Sequence, residues 1–489
     1  MALPRFPHYI DGAFLEAAET FESLDPFTEE PWALMPAASA ADVNRAVEAA
    51  HRALFDPAWA DMTATARGKL LMRLGDLVAE HAPKLAELET RDTGKIIRET
   101  RAQIGYVADY YRYFGGLADK LQGAHLPIDK PDMDVTLRRE PIGVVAAVVP
   151  WNSQLFLSAV KLGPALAAGC TIVLKASEEG PAPLLEFARL VDAAGFPRGV
   201  VNIVTGFGDA CGRTLTSHPL VARVAFTGGP ATARHVVCNT AENFAHTTLE
   251  LGGKSPVIVF ADADIDSAAN AIVAGVFAAS GQSCVAGSRL YVEASVQARL
   301  LDTLKAKAAR IVIGDPQDPK TEMGPLATRR QRDHIEATLA RSLAAGATLV
   351  CGGKRPSRRG FFFAPTIVAA PRNDTPSMAE ELFGPVLTVM PFEGEAEALR
   401  VANDTRYGLA SGLFTRDLAR AHRMIRRIRA GIVWVNTYRA VSPIVPFGGY
   451  GQSGLGREGG LESILDYSRT KSVWVRTSDD PIPDPFVMR

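Results

Sequence analysis

The stretch PIGVVAAVVPWNSQLFLSAV, residues 141–160, contains the pattern that decides the fold class. Val144 to Val149 is an apolar run rich in β-branched residues, which predicts a buried strand. Polar Asn152 follows this strand, and a helical segment comes next. A strand followed by a helix is typical of the βαβ units that form parallel sheets.

The same alternation continues along the chain in two series, so we predict an α/β fold with two lobes. The first series of strands comprises Val144 to Val149, Thr171 to Leu174, Val200 to Val204 and Arg223 to Thr227. The second series comprises Val257 to Phe260, Arg289 to Val292, Leu349 to Cys351, Val386 to Phe392 and Ile432 to Val435.

The segments outside these series have other patterns. Ser39 and Asp42 have the spacing of a capping box before a helix, and a second long helical pattern covers Ala64 to Glu99. Ala124 to Glu140 contains two prolines and alternating apolar residues, which predicts a hairpin outside either lobe. The final dozen residues, rich in Pro and acids, predict a tail.

Composition excludes several classes of protein. Lys+Arg 53 against Asp+Glu 54 leaves a net charge of -1, which gives no general attraction to nucleic acid or to anionic lipid. The uncharged stretches 141–160 and 267–288 contain polar groups that lipid does not satisfy, so we expect no membrane span. Five cysteines without paired spacing argue against disulfides and against a metal site. Met1 to Asp11 lacks the features of a secretory signal, so we expect a cytoplasmic protein.

Two side chains are candidates for covalent and acid–base chemistry. Cys284 lies among small residues in GQSCVAG, residues 281–287, which allows close approach of a substrate to a nucleophilic thiol. The alternative is a buried structural cysteine. Glu250 ends an apolar strand in TLELGGK, residues 248–254, where burial would suit its carboxylate to proton transfer. The alternative is a Glu paired with a nearby Lys at a turn.

Polar groups after the first series of strands are candidates for binding. The amide of Asn152 can donate to an oxyanion, although Asn after Pro is also a common turn former. The turn FTGG, residues 226–229, precedes a helix whose free N–H groups would face a pyrophosphate. Lys175 and Glu178 are suited to binding a ribose, or else form an exposed ion pair.

These features together resemble the NAD(P)-dependent aldehyde dehydrogenase superfamily, from about Tyr9 to about Val475. Seven motifs in order carry the resemblance, and chance does not explain such agreement. They are Pro150-Trp151-Asn152, Lys175-Ala176-Ser177-Glu178, Phe226-Thr227-Gly228-Gly229, Leu249-Glu250-Leu251-Gly252-Gly253-Lys254, Gly281-Gln282-Ser283-Cys284, Glu380-Glu381-Leu382-Phe383-Gly384-Pro385, and Phe447-Gly448-Gly449 to Gly456-Arg457-Glu458.

The resemblance implies a catalytic role for five residues. Cys284 would add to an aldehyde to give a thiohemiacetal, with Asn152 and the Cys284 N–H as the oxyanion hole. Oxidation by NAD would leave a thioester, which Glu250 would hydrolyse by activating water. Lys161 and Glu458 match positions that the family associates with proton relay from that Glu.

The resemblance also implies NAD as the cofactor. A carboxylate at Glu178 would repel a 2′-phosphate, so NAD is favoured over NADP. Two positions depart from the common family pattern: Gly229, often Ser, and Ala176, often Pro, and neither departure removes a catalytic group. The residues expected to contact NAD are Trp151, Lys175, Glu178, Thr227, Gly228, Gly229, Leu251, Glu381 and Phe383.

The implied architecture has three parts. A Rossmann-like NAD-binding domain would take residues 1–123 and 142–252, and a catalytic α/β domain residues 253–453. Residues 124–141 and 454–489 would form an oligomerisation hairpin and a C-terminal segment. The resemblance implies a homodimer or homotetramer, in which the hairpin extends the sheet of a neighbouring subunit.

The resemblance implies a small-molecule aldehyde as the substrate. Scarce aromatic residues at the expected tunnel positions argue against a cationic aldehyde. Arg439 would pair with the carboxylate of a semialdehyde, or else is an exposed Arg. Further alternatives are a CoA-acylating enzyme, a cysteine hydrolase and a non-catalytic structural or binding protein on the same fold. The expected tunnel positions are Ser153, Leu157, Val160, Ala278, Ser283, Val285, Arg439 and Val441.

Overall fold

The computed structural model describes residues 2–487. Its first helix begins with the predicted capping box, in which the Asp42 N–H donates to Ser39 Oγ at 3.2 Å and the Ser39 N–H to Asp42 Oδ2 at 3.0 Å. The α-helices in this range are α1 (Ala40–Phe55), α2 (Pro57–Ala60), α3 (Ala64–Glu80), α4 (Ala82–Thr93), α5 (Ile97–Leu117), α6 (Gln154–Ala168), α7 (Ala182–Ala194), α8 (Thr214–Ser217), α9 (Pro230–Thr240), α10 (Ile265–Phe277), α11 (Gln297–Ala308), α12 (Arg329–Ala344), α13 (Pro376–Ala379), α14 (Gly394–Asn403), α15 (Leu418–Ile425) and α16 (Ser463–Asp466).

The strands form two large sheets, a three-stranded sheet and a two-stranded hairpin. They are β1 (His8–Ile10), β2 (Ala13–Leu15), β3 (Glu19–Asp25), β4 (Glu30–Ala37), β5 (Ala124–His125), β6 (Met133–Pro141), β7 (Val144–Val148), β8 (Thr171–Ala176), β9 (Val201–Thr205), β10 (Val221–Gly228), β11 (His246–Leu251), β12 (Pro256–Val259), β13 (Arg289–Glu293), β14 (Thr348–Cys351), β15 (Thr366–Ala369), β16 (Val386–Phe392), β17 (Ala410–Phe414), β18 (Ile432–Val435), β19 (Gly454–Leu455) and β20 (Ser468–Arg476).

The first large sheet has the order β19-β11-β10-β7-β8-β9-β1-β2. Its five central strands, from β11 to β9, pair in parallel, which confirms the predicted parallel sheet. Helices cover both faces: α1, α8 and α9 contribute to one apolar cluster, and α3, α5, α6 and α7 to the other. Burial on both faces explains why these strands are nearly continuous apolar runs.

The second large sheet has the order β14-β15-β16-β13-β12-β17-β18, and every pair except β14 with β15 is parallel. The sequence predicted five of its seven strands and missed β15 and β17. The first, TIVA, contains three β-branched residues, so its signal was present in the sequence and was overlooked. The second contains Ser411 and Gly412, which weaken the β-branched signal on which the prediction depended.

The predicted hairpin at Ala124 to Glu140 is present, but its main partner lies elsewhere in the chain. Strand β5 has two residues, whereas β6 pairs antiparallel with β20 from Pro141 opposite Ser468 to Met133 opposite Arg476. The resulting sheet has the order β20-β6-β5, so β20 is an edge strand. The C-terminal segment and the hairpin therefore form one unit.

The region before residue 118 differs from the prediction. Residues 8–37 contain four strands that the sequence analysis did not predict. The single helical pattern over Ala64 to Glu99 is wrong, because α3, α4 and the start of α5 share this range. Pro83 lies in the first turn of α4 and has no N–H to donate to a carbonyl of α3, so it separates the two helices. Gly94 ends α4 with a left-handed φ of 75°.

The predicted tail contains no helix or strand in its described part. Residues 477–487 are largely exposed, and the tail's last two positions, Met488 and Arg489, lie outside the described residues, as does Met1 at the other terminus. Within residues 2–487, no helix has both the length and the apolar character that crossing a membrane requires.

The topology brings the candidate residues together. In the first sheet β11, β10, β7 and β8 are consecutive neighbours and run in the same direction. Their carboxyl ends lie side by side and lead into Leu251, Gly228, Asn152 and Ala176, respectively. Ligands of open α/β sheets bind at this edge, so the fold places the predicted site where such a sheet provides one.

Candidate active site

A cavity of about 500 Å³ lies at the carboxyl ends of β7, β10 and β11. The loop before β13 forms the opposite wall and contains Cys284. Of the fourteen residues predicted for catalysis or cofactor binding, Lys161, Lys175 and Glu178 lie outside the lining. The eleven that line the cavity are Trp151, Asn152, Thr227, Gly228, Gly229, Glu250, Leu251, Cys284, Glu381, Phe383 and Glu458.

The backbone of the Cys284 loop is strained. Ala279, Ser280 and Gly281 all have left-handed φ angles, of 51°, 53° and 73°. For the first two residues such a conformation is unfavourable and persists only where surrounding contacts hold it. At Gly281 a side chain would also overlap the carbonyl of Gly384, so only glycine fits this close approach.

Hydrogen bonds from three other segments hold this loop in place. The Ala279 N–H donates to both carboxylate oxygens of Glu99 on α5, at 2.9 and 3.0 Å. Ser280 Oγ donates to the Gly324 carbonyl at 2.8 Å. On the other side, Tyr438 Oη donates to the Val285 carbonyl at 2.8 Å. Because both flanks are fixed, the position of the thiol between them is fixed as well.

The Cys284 thiol is half-buried and its ionisation is disfavoured. Desolvation, followed by the nearby carboxylates of Glu381 and Glu250, raises the pKa of Cys284 to about 12, against a smaller lowering effect of Arg439. The group is therefore a protonated thiol at neutral pH in the free protein. Since the thiolate is the nucleophile, the thiol must lose its proton as a substrate adds.

The side chain of Asn152 connects the sheet to the Cys284 loop. It follows β7 directly, and its Nδ2 donates to the Gln282 carbonyl at 3.2 Å. Gln282 in turn accepts at Oε1 from the Ala327 N–H at 2.9 Å. An amide donor is thus held two residues from the thiol, which is where an oxyanion formed on addition to Cys284 needs one.

Glu250 is a buried carboxylate near the end of β11, with 3% of its surface exposed. Within the described chain neither of its oxygens has a hydrogen-bond partner. Desolvation and the adjacent Glu458 raise its pKa well above the usual range, while Lys161 and Arg457 oppose the shift. A Cβ at Gly448 would lie 2.7 Å from Glu250 Oε1, so this glycine leaves room for the carboxylate.

Lys161 and Glu458 form a buried ion pair behind the cavity wall. The Lys161 ammonium also donates to Thr227 Oγ1 at 2.8 Å. Lys161 has no exposed surface, and Glu458 is 4% exposed and lines the cavity beside Glu250. A pair of opposite charges therefore lies close enough to the unpartnered carboxylate to influence its ionisation.

The turn after β10 has the geometry of an anion site. Gly229 is the N-cap of α9 and supplies no side chain, and Pro230 occupies the first turn. Apart from Gly229 and its chain neighbours, no heavy atom of residues 2–487 lies within 4 Å of where a Cβ of Gly229 would be, so the N-terminus of α9 faces open space. Helix N-termini with free N–H groups favour phosphates.

Further groups flank this turn. Lys175 Nζ donates to Glu178 Oε2 at 3.2 Å, and the Lys side chain is 6% exposed against 35% for the Glu. The two form an ion pair, but only its carboxylate reaches solvent. Trp151 and Phe383 face each other edge to face across the cavity, with ring centroids 5.5 Å apart.

Glu381 lies against the turn after β11. Its Oε1 accepts from the Gly253 N–H at 3.1 Å, and a Cβ at Gly252 would overlap its carboxylate. Burial raises the pKa of Glu381 to about 7, although the Gly253 hydrogen bond and Lys254 act in the opposite direction. The carboxylate is therefore present in both protonation states near neutral pH.

Seven of the eight residues expected to form the substrate tunnel line the other end of the cavity. Ala278 is the exception, and its neighbour Ala279 takes its place. Arg439 is half-buried in the lining rather than exposed, and its Nη1 donates to the Ala274 carbonyl at 2.9 Å. The seven are Ser153, Leu157, Val160, Ser283, Val285, Arg439 and Val441.

The expectation that this end has few aromatic residues is wrong. Tyr106 and Tyr110 from α5, Phe156 from α6 and Phe447 all line the cavity. Sequence analysis missed the two tyrosines because α5 precedes the strands by many residues and reaches the site only through packing on α6. The helical spacing of Glu99, Gln103, Tyr106 and Tyr110 on one face was the available signal. With these rings in the cavity lining, a cationic aldehyde is no longer disfavoured.

The site thus combines a thiol, an amide donor and a buried carboxylate of raised pKa in one cavity, beside an anion-binding turn. The first two groups suit addition to a carbonyl carbon with stabilisation of the resulting oxyanion. The carboxylate suits activation of a water molecule that attacks the same carbon afterwards.

Comparisons with known proteins agree with this chemistry. The sequence profile described as the aldehyde dehydrogenase family matches residues 14–473. The chain is 60% identical over 488 residues, 100% of both chains, to the (Z)-2-((N-methylformamido)methylene)-5-hydroxybutyrolactone dehydrogenase of Acinetobacter baylyi. Its structure is similar to that of the NAD+ complex of an aldehyde dehydrogenase from Bacillus cereus, with 39% identity, 97% of both chains covered and a TM-score of 0.95. It is also similar to betaine aldehyde dehydrogenase from Staphylococcus aureus in complex with NAD+, with 37% identity, 99% and 96% of the two chains covered and a TM-score of 0.96.

Proposed function

The chain belongs to the aldehyde dehydrogenase family, and from this premise we propose that it oxidises a polar aldehyde to a carboxylic acid with NAD+, through covalent intermediates on Cys284. The observation that carries the proposal is the convergence of Cys284, Asn152 and Glu250 on one cavity. Their roles are the nucleophile, the oxyanion donor and the base for hydrolysis, respectively.

The residues at the strand ends fit NAD. The open N-terminus of α9, beginning at Gly229, would bind the pyrophosphate, and Trp151 would pack near it. The half-exposed Glu178 beside Lys175 would accept from the adenosine ribose, and Glu381 with Phe383 would contact the nicotinamide ribose. When bound, NAD+ supplies the two-electron acceptor of the oxidation. Solved relatives contain NAD+.

The first covalent step is addition of the Cys284 sulfur to the aldehyde carbon. As the C–S bond forms, the thiol proton leaves to solvent, the C=O π bond breaks and its electron pair makes the carbonyl oxygen an oxyanion. The Asn152 amide, now donating to Gln282, donates to this oxyanion together with the Cys284 N–H. The strained loop fixes the Cys284 N–H before the substrate binds, and Asn152 is held beside it by its hydrogen bond to Gln282.

The last step is hydrolysis of the thioester that oxidation leaves on Cys284. Glu250, unpartnered and with a raised pKa, accepts a proton from the attacking water and passes it on towards Glu458 and Lys161. The C–S bond breaks, the acid leaves and the thiol is restored. The presence of Glu250 distinguishes this route from transfer of the acyl group to CoA.

A polar substrate is supported by the relative with 60% identity, which is named for a substituted 5-hydroxybutyrolactone. Such a ring is the cyclic form of an aldehyde that carries an acid group, so Cys284 would add to its open form. The second candidate is a simple semialdehyde without the amide substituent, because the guanidinium of Arg439 lies in the cavity wall, where it would pair with a substrate carboxylate.

The assembly is a homodimer or homotetramer in this proposal. Strand β20 is an edge strand with Trp474 and Val475 exposed at 56% and 51%, and an uncovered apolar edge favours pairing with a second copy. The five free cysteines are consistent with a reducing, cytoplasmic setting.

The test is NADH formation at 340 nm with aliphatic, aromatic, carboxylated and amide-bearing aldehydes, each with NAD+ and with NADP+. We expect turnover with NAD+, faster for polar aldehydes than for alkanals, and no stimulation by CoA. Cys284→Ala is the control: it should bind NADH, seen by fluorescence, and form none. Turnover by this variant, or failure of the native protein to oxidise any aldehyde, would contradict the proposal.

A further inference from the structure

A cluster of polar side chains forms the part of the cavity wall next to α5. The ammonium of Lys95 lies 2.9 Å from Oε1 of Glu89, and their side chains are 7% and 1% exposed. Lys95 also donates to Gln103 Oε1 at 2.9 Å and to Ser153 Oγ at 3.0 Å. Lys95, Gln103 and Ser153 line the cavity, yet the steps described above give none of them a role.

Two donors of this cluster converge on one point. Gln103 Nε2 donates to Ser153 Oγ at 3.1 Å, so this oxygen accepts from both Gln103 and Lys95. The hydroxyl itself donates to the Asn152 carbonyl at 2.6 Å. Because Lys95 and Gln103 both donate to Ser153 Oγ, the position of this atom is favourable for an acceptor oxygen. Because a serine side chain turns about a single χ1 bond, it can leave that position to an oxygen of a substrate.

The charges of the cluster favour a neutral acceptor. The Lys95 ammonium is already paired with Glu89, and the carboxylate of Glu99 lines the same cavity. Since Glu89 already balances the charge of Lys95, a substrate carboxylate would add a second uncompensated negative charge beside Glu99, and burial of an unpaired charge is unfavourable. A carbonyl oxygen of an amide or ester gains the two hydrogen bonds without this cost.

The cluster also lies near the proposed position of the reacting aldehyde carbon. Ser153 is adjacent in sequence to Asn152, the proposed oxyanion donor, so the second oxygen would lie a few bonds from the reacting carbon. Tyr110 and Phe156 line the same cavity, with their rings 5.1 Å apart, and provide apolar contact for the carbon chain between the two oxygens.

We propose that Lys95 and Gln103 determine specificity by binding a neutral amide or ester carbonyl oxygen of the aldehyde in place of the Ser153 hydroxyl. This inference rests on the proposed function and adds the substrate class. The contact is present before and after the chemical step, so it affects KM more than kcat.

The experiment compares kcat/KM for an ω-acetamido aldehyde with that for an alkanal of equal chain length. The native protein should prefer the amide. Gln103→Met keeps the length of the side chain but removes one donor, and we expect the preference to fall about tenfold, mainly through KM. Arg101→Met, an exposed substitution two residues away on α5, is the matched control and should keep the preference.

A second variant tests the displacement of the hydroxyl. Ser153→Ala removes the competing oxygen, so the preference for the amide should stay or increase. A fall in Ser153→Ala, an unchanged preference in Gln103→Met, or a native preference for a carboxylated aldehyde of equal length would each overturn the inference. Activity on alkanals in those cases would leave the proposed function intact, whereas absence of all turnover would contradict the function itself.

Discussion

The two ends of the cavity are built in different ways. At one end, Gly228, Gly229 and Leu251 lie at the ends of neighbouring parallel strands, and the sheet itself sets their positions. At the other end, the wall consists of side chains from helices, including Gln103 and Tyr110 on α5. The first end suits a ligand that every member of the family shares, and the second suits discrimination between aldehydes. A substitution between the two ends, where Asn152 lies, should affect the rate with every aldehyde. A substitution at one end should affect the use of the cofactor alone or of the aldehyde alone.

The largest effect is expected at the boundary, at Asn152. Asn152→Ala removes an oxyanion donor, and we expect kcat to fall by about 100-fold or more for every aldehyde, because such a donor acts mainly in the transition state. Initial rates of NADH formation measure this, and NADH fluorescence checks that cofactor binding is retained. A decrease confined to one class of aldehyde would show that the amide binds substrate instead.

The difference between the ends also explains what the sequence could predict. Glu250 and Asn152 lie in motifs at the carboxyl ends of strands of one parallel sheet, which brings such ends together, so their shared cavity could be predicted. Cys284 precedes β13 in the other sheet, and the family resemblance was what placed it with them. Lys95 and Gln103 lie far from these motifs in sequence, and their place in the wall depends on packing between helices, which local patterns do not encode.

Backbone conformation was beyond sequence reasoning for a related reason. The left-handed φ of 53° at Ser280 follows from contacts with distant segments, since neither its residue type nor its neighbours favour it. The unpartnered state of Glu250 likewise depends on what surrounds it in the folded chain. The sequence predicted that this carboxylate is buried, and the structure adds that it has no hydrogen-bond partner within the described residues.

An intermediate effect is expected at the NAD end, at Glu178. Glu178→Gln removes the charge that would repel a 2′-phosphate, and we expect the ratio of kcat/KM for NADP+ to that for NAD+ to rise about tenfold. The neighbouring Glu179→Gln, which breaks an ion pair with Arg330 instead, is the control. An equal change in both variants would show that Glu178 has no specific contact with the ribose.

The smallest effect is expected for Arg439. Its Nη1 donates to the Ala274 carbonyl, and loss of one such partly exposed hydrogen bond in Arg439→Ala should lower kcat/KM less than about threefold. The measurement uses a carboxylated aldehyde and a neutral one of equal length. A loss of tenfold or more for the carboxylated aldehyde alone would make Arg439 its ligand and favour the semialdehyde alternative.

The most direct test of the account is rapid mixing of Glu250→Gln with NAD+ and an aldehyde, followed at 340 nm. Addition to Cys284 and oxidation need no base at position 250, whereas hydrolysis of the thioester does. We therefore predict a burst of about one NADH per active site, followed by a steady rate at least 100-fold below that of the native protein. A steady rate equal to the native one would show that another group activates the water, and absence of the burst would show that Glu250 acts before oxidation.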